Sequence, residues 1–421
     1  MSAAGRTLED FNPFDPAVLE SPFEFNRMLV DQAPVYRDPH TNLVLVSSYE
    51  FVLEALKRHD DFSNRFAQAM AGRSAPRGEI VDVMKGGYPT VDTMLTADPP
   101  EHSRFRGLVN KVFTPRRVNV IESEIQKLTD GLIDAFIADG RFSVAAQFCI
   151  PLPLTVIADQ LGVPRTDLPD FKRWTDGFVA QLGGMASGDA EVEAARLIVE
   201  YQHYFAARLE EARREPRDDI ISDLVRARIE GERPLDTAES LSIIQQLLVA
   251  GHETTAATIA AGLLLLIQNP DQQSLVREDP GLLPNLVEEV TRLTTPTQNM
   301  WRVATRDCTL GSFEISKGDF VFIRYGAANR DPAKFPEPDV FDVRRANAAE
   351  HLAFGHGVHF CIAATLARRE MLVAFRTLLS RLDGLALAPN QAVTHRPNML
   401  LRGLNDFELE FRAVEGSLNC P

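Results

Sequence analysis

Apolar positions recur at three-to-four spacing over residues 101–113, 121–138, 191–214, 238–268, 283–293 and 362–382. That period predicts amphipathic helices in each stretch. Elsewhere the pattern alternates. PVYRD and NLVLV stand on either side of DPHTN, which predicts a small hairpin, and CTLGSFEISKGDFVFIRY at residues 308–325 reads as short strands punctuated by Gly311 and Gly318. The expected fold is mainly α with minor β sheets. No Ser/Gly-rich or Pro-rich linker, internal repeat or low-complexity tract interrupts the chain, so residues 1–421 are expected to form a single domain.

One segment departs from amphipathic periodicity. LLVAGHETTAATIAAGLLLLI, residues 247–267, is apolar around nearly the whole helical circumference, which predicts a central, buried helix. Its longest uncharged run, residues 254–268, follows His252 and Glu253 and is short for a bilayer span, so a core helix is expected and no membrane contact.

Composition narrows the class. Of 421 residues, 45% are hydrophobic and 24% charged, as in a soluble globular protein. A net charge of -15 repels nucleic acid and anionic lipid. The N-terminal MSAAGRTLEDFNPFDP is polar and acidic where an export signal needs a cationic stretch and an apolar core, so a cytoplasmic location is expected. Cys149, Cys308, Cys361 and Cys420 lie far apart without Cys-x-x-Cys spacing, which gives neither a zinc ribbon nor a disulfide framework.

Two stretches concentrate chemistry. In FGHGVHFCIAATLARRE, residues 354–370, Gly355 and Gly357 permit a tight turn and close backbone approach, and the loop delivers Cys361 to a predicted helix start, where unpaired N–H groups favour a thiolate. A buried structural cysteine beside a glycine turn is the plain alternative. In the 247–267 segment, Glu253 and Thr254 are costly in an apolar helix unless they find partners or water. The Thr254 hydroxyl can bond back to Ala250 four residues earlier, with Gly251 easing the distortion.

The cysteine segment resembles the haem-binding pattern of the cytochrome P450 family, Phe-x-x-Gly-x-His/Arg-x-Cys-x-Gly, filled by Phe354, Gly357, His359 and Cys361, with Ala363 in place of the final glycine. Ala250, Gly251, Glu253, Thr254 and Thr255 are similar to the family's oxygen-activation motif. The resemblance implies haem b, ligated by the Cys361 thiolate and lying between a long central helix and the Cys-loop helix, with Glu253 and Thr254 relaying protons during dioxygen reduction. It also implies haem contacts from Ala250, Gly251, Phe354, Gly355 and Ala363, and a propionate cradle from His102, Arg106, Arg302 and His359. Glu289 and Arg292 resemble the Glu-x-x-Arg motif, with Arg344 as the expected third, structural member.

The implied activity is that of a soluble bacterial-type monooxygenase that inserts one oxygen atom from O2 into an organic substrate. No Gly-x-Gly-x-x-Gly follows a strand, so electrons are expected from a separate ferredoxin. Its expected docking patch comprises Arg104, Arg106, Lys111, Arg116 and Arg117 with Arg344, Arg345, Arg368 and Arg369. By resemblance the pocket draws on Tyr88, Val91, Met94, Leu95, the 178–185 stretch, Gln246, Val249, Ala250, Thr297, Gln298, Asn299, Met300 and Met399, mostly apolar with Gln246, Gln298 and Asn299 as polar anchors. A small hydrophobic substrate such as a terpenoid, steroid or aromatic compound fits it. Two rivals stand beside this reading: a hydrolase with Cys361 as nucleophile and His356 or His359 as base, and a haem sensor or peroxygenase. The Glu253–Thr254 pair speaks against both, since neither needs protons delivered to dioxygen.

Overall fold

The computed structural model describes residues 5–71, 77–110, 115–182, 187–229 and 231–414. They are mainly helical, with small sheets. The chain forms two compact units: residues 1–66, 257–361 and 389–405 make the first, and residues 67–256, 362–388 and 406–421 the second.

The first unit carries a five-stranded sheet, in the order Val35–Arg37, Val44–Val46, Phe320–Arg324, Asn299–Ala304, Phe62–Ser63. The hairpin expected around DPHTN is its edge, with Val35 opposite Val46 and Arg37 opposite Val44. Val44, Val46, Val321 and Ile323 are buried in one apolar cluster with Leu56, Phe62 and Leu352, so β-branched residues fill the sheet interior. Cys308–Leu310 and Phe313–Ile315 form a separate hairpin.

The second unit is a helical assembly. Asp189–Arg214 packs against Leu168–Leu182 through Phe171, Trp174, Tyr201 and Phe205, whose rings meet at centroid separations of 4.8–6.1 Å. The buried Tyr201 hydroxyl is satisfied by donating to Leu241 O at 2.9 Å. Leu168–Leu182 and Pro151–Leu161 fall outside the periodic stretches read from sequence. In the second, prolines break the pattern on paper, yet Pro151 opens the helix, where no N–H is needed. Arg141–Ser143, Glu408–Ala413 and Leu382–Leu387 form a three-stranded antiparallel sheet that the sequence did not suggest.

The expected apolar helix runs from Thr237 to Gln268 and is the one helix among the described residues long and apolar enough to cross a membrane. His252, Glu253, Thr255, Ala256, Ile259 and Leu263 along it are buried, as in the core helix of a globular protein.

Candidate functional site

Leu352 to Cys361 forms the cysteine loop. Gly355 and Gly357 have φ of 71° and 69°, the left-handed region that side chains disfavour. A Cβ on Gly357 would stand 2.9 Å from Leu56 O, so the turn also needs glycine for space. Gly355 N donates to Leu352 O and Cys361 N to Phe354 O, both at 2.9 Å, which fixes the cysteine on a doubly tied turn. Phe354, Gly355, His359 and Cys361 thus share one loop, all half-buried. The helix that follows begins at Ala364 with Ala363 as its cap residue, so Cys361 precedes the helix by three residues, whereas the expected helix began at Ile362, directly after the cysteine.

On the neighbouring strand Asn299–Ala304, Arg302 is 4% exposed. Its Nη1 donates to Trp301 O at 2.7 Å, and no carboxylate pairs with it among the described residues. A buried guanidinium without an acid is costly unless an anion meets it. His102 and Arg106 lie one turn apart on the Glu101–Val109 helix; His102 is buried and Arg106 Nε donates to Asn110 Oδ1 at 3.1 Å.

On the Thr237–Gln268 helix the Thr254 hydroxyl donates to Ala250 O at 2.9 Å, the back-bond its spacing predicts. Ala250 is exposed and Gly251 and Thr254 are half-buried, whereas His252, Glu253 and Thr255 are buried, so one face at the helix centre is left open. A Cβ on Gly251 would come within 3.2 Å of Ile157 Cγ1, which explains the glycine by close helix packing. Glu253 is 5% exposed, with Oε1 at 3.3 Å from His252 Nε2 and 4.0 Å from Lys172 Nζ. Neither His252 nor Lys172 was singled out in the sequence; only the buried carboxylate's need for partners hinted at them.

The Glu-x-x-Arg pair is present, with a corrected third member. Arg292 and Glu289 are fully buried and joined through two hydrogen bonds, Nε to Oε2 at 2.7 Å and Nη2 to Oε1 at 2.8 Å. Arg345, not Arg344, completes the triad, its Nε 2.9 Å from Glu289 Oε1 and its guanidinium donating to Pro336, Glu337 and Val340 carbonyls. The turn in which Arg345 N bonds Asp342 O directs Arg345 inward and leaves Arg344 exposed. Arg292 Nη1 adds bonds to Asn329 O and Pro338 O, so two arginines fix the 329–345 loop.

Other expectations are revised. Arg104 is held by Glu239 at 2.9 Å and Glu232 at 3.3 Å, and Arg369 by Glu122 at 2.9 Å, so neither is a free docking cation. Lys111 and the side chains of Arg116 and Arg117 lie outside the described residues, as does Met185. The three expected polar anchors serve the protein's own structure. Gln246 accepts from Leu95 N at 3.0 Å and donates to Thr93 Oγ1 at 2.8 Å. Gln298 donates to Thr294 O and Thr295 O, and Asn299 to Met399 O at 2.7 Å. Thr297 is paired with Leu401 in an isolated bridge. Met94 is 7% exposed within the apolar core of the second unit, against which Tyr88 and Val249 pack.

These features agree with the comparisons to known proteins. Residues 161–402 match the family model for cytochrome P450. Cytochrome P450 monooxygenase PikC of Streptomyces venezuelae is 40% identical over 324 residues, 76% of each chain. Steroid C26-monooxygenase of Mycobacterium tuberculosis is 35% identical over 379 residues, 90% of this chain and 97% of its own. The structure of cytochrome P450 CYP109Q5 from Chondromyces apiculatus superposes with a TM-score of 0.85 at 34% identity, covering 97% of this chain and all of the other. The chain belongs to the cytochrome P450 family and has its fold. It is a P450 monooxygenase, and the family's cofactor is a haem-thiolate group.

The residues present fit that group. Arg302 offers a buried cation with no acid of its own, the Ala250 face is open on an otherwise buried helix, and the loop glycines keep side chains away from the cysteine turn.

Proposed function

We propose that this monooxygenase, working as one haem-binding domain in the cytoplasm, takes electrons from a separate ferredoxin-type partner and hydroxylates a small hydrophobic molecule of the terpenoid, steroid or aromatic kind. The observation that carries the reading is the Ala250–Thr254 turn: an open helix face, a hydroxyl back-bonded at 2.9 Å, and a buried carboxylate beside it. Cys361 would hold the iron of haem b, Arg302, His102, Arg106 and His359 its propionates, and Phe354, Gly355, Ala363, Ala250 and Gly251 would border the ring.

When bound, haem supplies the activation of dioxygen. The chain supplies the protons and the apolar enclosure. Thr254 Oγ1 holds one proton on Ala250 O; passing that proton on leaves an oxygen that Glu253 can refill. Glu253 is kept from bulk water at 5% exposure, so its proton is delivered locally and on demand.

Support for an apolar substrate comes from the three polar candidates, Gln246, Gln298 and Asn299, which are already committed to the protein's own polar groups. A relative that acts as a steroid C26-monooxygenase points the same way. Screening hydrophobic compounds for the low-to-high-spin shift of the haem band identifies the substrate. With it in hand, Thr254→Ala is expected to retain haem and substrate binding while roughly 10²-fold less oxidant chemistry is productive, the loss typical of a removed proton donor, and reducing equivalents appear as hydrogen peroxide. Unchanged coupling of reductant to product in that variant removes Thr254 from the mechanism. Cys361→Ser is expected to abolish the red-shifted ferrous-CO band of a thiolate ligand.

A further inference from the structure

His252 is fully buried on the Thr237–Gln268 helix, and its two ring nitrogens have different surroundings. Nδ1 lies 2.9 Å from Leu248 O, one turn back. A carbonyl only accepts, so Nδ1 carries a proton in every charge state that keeps this bond. Nε2 is sealed from solvent and faces Glu253 Oε1 at 3.3 Å, in a contact too oblique for an aligned hydrogen bond; no other partner meets Nε2 among the described residues.

With Nδ1 protonated, a neutral imidazole turns the lone pair of Nε2 toward a carboxylate oxygen. Two acceptors facing each other out of water are each left without a donor, which is unfavourable. One added proton resolves the conflict, sitting on Nε2 as imidazolium or on Oε1 as carboxylic acid. Lys172 Nζ, 4.0 Å from the same Oε1 and partly solvent-exposed, is paired on its other side with Asp176, so the contact has a charged link toward the surface.

We propose that His252 is a positioning residue that shares one proton with Glu253 and so keeps the carboxyl group loaded for Thr254. This rests on the reading of Glu253 and Thr254 as the proton-delivering pair. The step moves one proton and no electrons. The shared proton crosses from Nε2 to Oε1 and Glu253 gives it to the Thr254 hydroxyl, which leaves Glu253 as carboxylate beside the neutral Nδ1–H tautomer of His252 until a proton returns from the Lys172 side. Catalytic hydrogen bonds that are long or poorly aligned in the resting protein commonly tighten during turnover, and the 3.3 Å separation is short enough for a small rotation to align this one.

The test uses the holoenzyme in its diamagnetic ferrous-CO form, labelled with 15N-histidine, as wild type and as Glu253→Gln. One ring is expected to show a protonated Nδ1 and an Nε2 resonance shifted from that of a bare acceptor nitrogen, and that resonance is expected to move in the Glu253→Gln protein. If Nε2 in the wild type has the shift of an unprotonated, unbonded nitrogen, or if no histidine resonance responds to Glu253→Gln, the proposal is overturned. In turnover, His252→Phe is expected to raise the peroxide share of consumed reductant several-fold and enlarge the solvent isotope effect, with the CO band and KM unchanged. An unaltered peroxide share and isotope effect also overturn it. The resonance experiment involves no turnover, so it separates a failure here from a failure of the Thr254 reading, which the coupling of Thr254→Ala decides.

Discussion

Glu370, on the Ala364–Arg381 helix, is 1% exposed, and its Oε2 meets no hydrogen-bond partner among the described residues. Burial raises its carboxyl well above the ordinary value of 4.5, which favours the neutral acid in the folded protein. Its folded value lies above its unfolded one, so this contribution to stability is complete at acid pH. Above the unfolded value each pH unit costs about 1.4 kcal/mol, until the folded value is reached. Glu370→Gln keeps the shape without the acid. Its Tm advantage over wild type is expected to grow as the pH rises above the unfolded value; a constant difference would show that the side chain ionises in place. Arg345 and Arg344 offer a sharper contrast between adjacent residues. Arg345→Ala leaves Glu289 and Arg292 with an unbalanced buried network and is expected to lose about 3–5 kcal/mol in urea unfolding. Arg344→Ala, at an exposed position, is expected to fall within about 0.5 kcal/mol of wild type. The resemblance pointed to Arg344 as the third member and the structure has Arg345, because only the turn at Asp342–Arg345 decides which side chain points inward.

Between helices, the irregular segment from Gly86 to Ala97 is clamped by side chains at two places. Gln202, 5% exposed, both accepts from Tyr88 N at 2.8 Å and donates to Tyr88 O at 3.1 Å, with His203 Nε2 2.9 Å from Gly86 O. Farther along, Ser242 donates to Val91 O at 2.6 Å, and Gln246 ties Thr93 and Leu95. Ser242 and Gln246 are half-buried, so water can compete at their end more readily than at Gln202. Gln246→Leu removes one backbone bond and one side-chain bond. Amide exchange over residues 91–97 is expected to quicken up to about tenfold, the factor that roughly 1.4 kcal/mol supplies, while residues 86–88 remain protected. Equal acceleration in both places would mean that the segment opens as one body. The elements themselves were largely legible, because helical periodicity and strand alternation are local properties. The clamps were not: Gln246 reads as a polar side chain on a buried helix, and nothing within the chain order places Leu95 N beside it. The sheet joining Arg141–Ser143 to two strands more than 200 residues later was hidden for the same reason.

For the whole molecule, a net charge of -15 opposes approach by the acidic ferredoxin proposed as partner, so docking of that kind would depend on local cations that their own neighbours have not neutralised. Arg104 fails that condition. It is 14% exposed and, with Arg233, surrounds Glu239, whose carboxyl these arginines hold below its usual range against the opposing effect of burial. Arg344 meets it, being exposed and without an ion pair among the described residues. The two arginines therefore separate docking from folding. Arg344→Glu is expected to raise the KM for ferredoxin roughly two- to fivefold at low salt, with the difference vanishing as the Debye length contracts to about 3 Å near 1 M salt. Arg104→Ala is expected to lower Tm by removing one of the two arginines that hold buried Glu239, while leaving the salt dependence of ferredoxin-driven turnover as in wild type. If Arg104→Ala instead flattens that dependence at unchanged Tm, the ferredoxin approaches over Arg104, and the ion pairs with Glu232 and Glu239 must open when it binds.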